Sequence, residues 1–75
     1  MLPLPPTPGT LTMAAQILAA HGSIPSAQEW LLAQADVLER SALLCAQAGD
    51  VPAGDVRADL AHIARVAAAW LPSLN

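Results

Sequence analysis

Apolar residues recur every three or four positions through two long stretches, Ala27 to Ala48 and Asp55 to Leu71. The segment Gly49-Asp50-Val51-Pro52-Ala53-Gly54 separates them. The period is helical, and the Gly- and Pro-bearing break predicts a tight turn between antiparallel helices. A shorter pattern, Leu11, Ala14, Ile17, Leu18 and His21 with Met13 at its edge, predicts a first helix that stops at His21 before Gly22. β-branched residues never alternate over a useful run, so no strand competes. The expected fold is all-α: a long antiparallel helical hairpin plus a short N-terminal helix, a three-helix bundle with helices at about 11–21, 27–48 and 55–71.

Local signals set the expected helix starts. Thr10 or Thr12 is a candidate N-cap for the first helix. Ser26-Ala27-Gln28-Glu29 has the form of a capping box, with Trp30 placed for a hydrophobic staple. Asp55 is the expected N-cap of the third helix, with Asp59 adding favourable charge. Residues 1–9 hold four of the seven prolines and are expected to form an extended tail, which leaves 10–75 as a single helical domain. Pro3-Leu4-Pro5-Pro6 is a formal PxxP, but it lacks the basic flank of an SH3-type ligand.

A helical wheel groups Trp30, Leu31, Val37, Leu38, Leu44 and Cys45 on helix 2, and Val56, Leu60, Ile63, Val66, Ala67 and Trp70 on helix 3. Closing the hairpin pairs positions whose numbers sum to roughly 101. Both tryptophans then meet at the open end as an anchor, Val37 and Leu38 meet Ile63, Leu44 and Cys45 meet Val56, and Asp36 lies level with Arg65. Helix 1 is too short to reach the turn. Leu43, Leu44, Val51, Val56 and Leu60 therefore lack cover, and Leu32 falls on the polar side of helix 2. Ala58, Ala61, Ala68 and Ala69 form a second smooth face. Leu32, Leu43, Leu44, Val51, Val56 and Leu60 are thus the candidate interface, and a homodimer built as a larger helical bundle is the expected assembly. Gln34 and Ser41, one heptad apart on the apolar side, are read as a side-chain amide at the helix edge and a hydroxyl bonded to its own helix, the alternative being a buried polar pair that fixes register or oligomer state.

Composition narrows the function. The chain has 75 residues, is 55% hydrophobic and has almost no aromatic residues, so its core is small. The net charge is −3 and the only basic side chains besides two histidines are Arg40, Arg57 and Arg65. No basic stripe exists, and no nucleic acid is expected as a partner. The arginine-only, alanine-rich composition fits a bacterial or phage gene of high G+C content. Cys45 has no internal disulfide partner, and no cationic leader precedes the N-terminal apolar stretch; a cytoplasmic protein is expected. Helix 2 carries Glu29, Asp36, Glu39 and Arg40, and no run reaches the roughly 18 apolar residues of a membrane span.

Reactive groups are sparse. Asp59, His62 and Arg65 recur at three-residue intervals and form a candidate polar edge, the type of spacing that could orient a general base. His21 and His62 are far apart and Cys45 sits in the apolar stripe, so no metal, cofactor or catalytic residue is expected. The sequence thus points to a small non-enzymatic protein–protein interaction module, an adaptor, regulator or inhibitor, acting on a protein partner through apolar helical faces. The alternatives are a DNA-associated regulator presenting Arg57 and Arg65, and a helical enzyme or ligand carrier with an inter-helix pocket lined by Trp30, Trp70 and His62.

Overall fold

The computed structural model describes residues 6–74 and is all-α, with no strand among those residues. Helix α1 spans Pro8–His21, α2 spans Ile24–Gln47 and α3 spans Val51–Trp70, followed by a closing 3-10 turn at Leu71–Leu74. The long axis measures 42 Å, set by the hairpin of α2 and α3. Of the residues read as an extended tail, Pro8 and Gly9 belong to α1, and 1–5 lie outside the described residues.

All three helices start earlier than their sequence signals suggested, and all by one device. Thr7, Ser23 and Asp50 are the N-caps, each with a proline at the first or second helical position. Thr7 Oγ1, Ser23 Oγ and Asp50 Oδ1 accept from the amides of Thr10, Ser26 and Ala53 at 3.3, 3.3 and 3.2 Å. Proline costs nothing there, because its missing N–H would have been an orphan donor in the first turn. The capping box at Ser26–Glu29 therefore does not form, Ser26 and Trp30 lie inside α2, and Asp55 lies inside α3. The helix ends match the expectation. Gly22 and Gly49 take positive φ, and after Gly49 the Asp50 amide donates to the Cys45 carbonyl at 2.8 Å while the Gly49 amide donates to Ala46 at 3.1 Å. That is a Schellman closure of α2.

The hairpin is antiparallel, but α3 is rotated relative to the expected arrangement. Its buried residues are Gly54, Ala61, Ala64, Ala67 and Ala68, not the Val56–Leu60–Ile63 row. They meet Ala27, Leu31 and Ala35 of α2. Among the described residues nine apolar side chains are buried, seven of them alanine, and only Leu31 and Leu71 are large and fully enclosed. Small side chains on both helices let the backbones approach closely. Gly54 marks the tightest point: a Cβ there would stand 3.0 Å from the Ala42 carbonyl oxygen and 3.7 Å from Cys45 Cβ. Gly54 is thus a packing residue inside α3 rather than part of the turn, which shrinks to Ala48–Asp50. Each buried methyl contributes about 0.8 kcal/mol, against about 1.5–3 kcal/mol for a larger side chain, so this core is modest for its length.

Polar contacts hold the hairpin in register. Gln28 Nε2 donates to the Ala68 carbonyl across the seam at 2.9 Å. On one flank Arg65 donates to Glu39 at 2.7 Å and to Asp36 at 3.2 Å, so the expected pair is present and gains a second carboxylate. The Glu39 hydrogen bond is the largest of the influences that raise the Arg65 pKa above its ordinary value. Helix α1 lies along the open half of the hairpin through Ala14, with Met13, Ile17 and Leu18 packed against the core.

Candidate interaction face

The six residues read as candidate interface are all exposed, yet they do not form one surface. Along α2, Leu32 and Leu43 share the flank of Asp36 and Glu39, the side on which Arg65 crosses over. Leu44 lies on the opposite flank, in line with Trp30 and Val37 at seven-residue intervals. On α3, Val56 and Leu60 face that same side, whereas Val51 falls near the Arg65 flank beside the turn. The apolar face therefore consists of Trp30, Val37 and Leu44 from α2 with Val56 and Leu60 from α3. Leu44 is 65% exposed and Val37 51% exposed. The exposure of Leu44 agrees with its reading as uncovered surface, whereas Val37 was expected inside the hairpin against Ile63; the alanine seam displaces it because its close approach leaves no room for larger side chains.

A groove opens on this face between the helices. It has a volume of about 330 Å³ and is walled by Met13 and Ile17 of α1, Trp30 and Gln34 of α2, and Leu60 and Ile63 of α3. Gln34 is the one polar side chain in its lining. The expected tryptophan anchor is not formed. Trp30 is 42% exposed, and its ring neighbour is His21, with centroids 5.6 Å apart in a tilted arrangement. His21 Nδ1 also lies 3.3 Å from Ser26 Oγ, so this histidine ties the end of α1 to the start of α2. Trp70 is half-buried and its indole N–H is enclosed without a hydrogen-bond partner among the described residues. Neither Trp70 nor His62 lines the groove.

The polar edge does not close into a site. Asp59 and His62 are exposed, while Arg65 turns across to the carboxylates of α2. Arg57 donates to the Ala53 carbonyl of its own helix at 3.2 Å. Cys45 is half-buried against the Gly54 contact. Among the described residues no three His, Cys, Asp or Glu side chains come close enough to hold a metal ion, and no helix is long and apolar enough to cross a membrane. The helical period foretold that the turn end lies bare; of the inter-helix pocket expected from Trp30, Trp70 and His62, only Trp30 lines the groove that forms. No protein-family model matches the chain, and neither a curated protein nor a solved structure matches it.

Proposed function

We propose that this protein is a non-enzymatic protein–protein interaction module, working as a small adaptor, regulator or inhibitor in the cytoplasm. The observation that carries the reading is the set of exposed large apolar residues Trp30, Val37, Leu44, Val56 and Leu60 on one flank of the hairpin, beside an open groove. Large side chains that sit outside a core made of alanine are available for recognition, and a patch of this kind on a small domain marks a contact surface. A DNA-binding role has less support, because Arg65 is already held by two carboxylates. The groove favours one second reading, a carrier of a small apolar ligand, for which native mass spectrometry of the gently purified protein would show added mass.

The test compares capture of host proteins by the parent, by Leu44→Glu and by Leu43→Glu. The module reading expects a specific partner that is lost with Leu44→Glu and retained with Leu43→Glu, which sits on the other flank. Equal capture by all three proteins, or none by the parent, would count against it.

A further inference from the structure

The apolar face repeats a coiled-coil pattern that the hairpin itself does not use. Along α2, Trp30, Gln34, Val37, Ser41 and Leu44 are spaced alternately four and three residues, parallel to the inner row of Leu31, Ala35, Leu38, Ala42 and Cys45 that packs on α3. The outer row alternates large exposed residues, Trp30, Val37 and Leu44, with the half-buried polar residues Gln34 and Ser41. A hole and a knob also occupy one face. The groove is centred at the level of Gln34, and Leu44 projects about ten residues further along the same helix, roughly 15 Å away at 1.5 Å per residue.

We infer that the occupant of this face is a second copy of the chain, docked antiparallel about a two-fold axis between Val37 and Ser41 of α2. The inference rests on the interaction-module reading and names its partner. A two-fold there exchanges hole and knob: Leu44 of each copy enters the groove of the other above Gln34, Val37 lies against Ser41, and Trp30 lies over Ala48. Every layer then sets a large side chain against a small or polar one, which lets the facing rows interdigitate. The area is sufficient. Trp30, Val37, Leu44, Val56 and Leu60 offer on the order of 500 Å² per copy, so the pair can bury about 1,000 Å², the size at which a specific interface begins. The Arg65 flank, with Leu32 and Leu43, stays outside this contact and is left for other partners.

Sedimentation equilibrium of the full chain at low micromolar concentration tests the assignment. The parent and Leu43→Glu should sediment at twice the 7.7 kDa chain mass, and Val37→Glu and Leu44→Glu at the single mass with the helical circular dichroism of the parent. Leu44→Ser is a gentler variant, expected to weaken association at least tenfold, should either glutamate protein lose its helicity. In a Cys45→Ala background, Val37→Cys mixed with Ser41→Cys should cross-link on oxidation far faster than either alone. A parent that stays at 7.7 kDa up to about 100 μM overturns the second copy. So does a dimer broken by Leu43→Glu but not by Leu44→Glu, a dimer that appears only when residues 1–6 are removed, or a small molecule found in the groove. If the parent is monomeric yet Leu44→Glu still abolishes capture of a host protein, the second copy falls while the module reading stands.

Discussion

The open half of the hairpin and its turn end are made of the same two helices, yet they use opposite materials. The open half buries Ala27, Leu31, Ala35, Ala64, Ala67 and Ala68 under the cover of α1 and of Leu71 from the closing 3-10 turn. The turn end packs Gly54 against the Ala42 backbone and leaves Leu44, Val56 and Leu60 in solvent. Apolar character alone does not decide which residues go inside. Between two helices the smallest side chains win the seam, because they permit the closest approach and the most backbone contact, and the larger ones are pushed to the flanks. A third element can recover those flanks only where it reaches, and α1 reaches only half-way.

This contrast can be broken most sharply at Leu31, one of the two large side chains that are fully enclosed. Leu31→Ala should cost about 2–5 kcal/mol, comparable to the whole stability of so small a domain, so it should abolish the cooperative thermal transition at 25 °C and above. An intact transition within a few degrees of the parent would mean that the open half is not the core. Overpacking the seam comes next. Ala35→Leu should lose about 1–3 kcal/mol by urea denaturation, although it adds apolar surface, because the helices must separate to admit it. A stabilised Ala35→Leu protein would show that the seam is loose.

The caps sharpen the picture at lower cost. Ser23→Ala and Asp50→Ala should each destabilise by about 1 kcal/mol, whereas Ser26→Ala and Asp55→Ala remove no cap and should cost less. The reverse ranking in paired melting curves would return the helix starts to Ser26 and Asp55. The smallest effect is expected at the turn end. At concentrations low enough to keep the chain monomeric, Leu44→Ser should change stability by less than about 0.5 kcal/mol, the range of ordinary surface substitutions. A loss approaching that of Leu31→Ala would place Leu44 in a core and erase the difference between the two halves.

Much of this architecture was legible in the sequence. The three helices, the antiparallel hairpin, the Gly22 and Gly49 ends, the Asp36–Arg65 pair and the bare turn end all follow from period, glycine placement and helix length. The starts could also have been found, since Thr7-Pro8, Ser23-Ile24-Pro25 and Asp50-Val51-Pro52 share one pattern of capping residue and early proline. Reading proline as a boundary outside the helix, rather than as its first turn, hid them. The rotation of α3 was less accessible. A wheel weighted by hydrophobicity favours Val56, Leu60 and Ile63 over Ala61, Ala64 and Ala68, and only the geometry of close approach reverses that order. The misplacement of Trp30 follows from the same error, because a core centred on large residues draws the tryptophans in.

The contact between Gly54 and the Ala42 backbone has a thermodynamic consequence for recognition. It clamps α2 to α3 one turn beyond the hairpin bend, so Leu44 and Val56 are held at a fixed separation by main-chain packing rather than by flexible side chains. A partner docking there would meet a surface whose backbone is already fixed. The ordering entropy that association ordinarily demands then falls on the incoming molecule, and a short, weakly packed protein can still offer a pre-organised half of a complex.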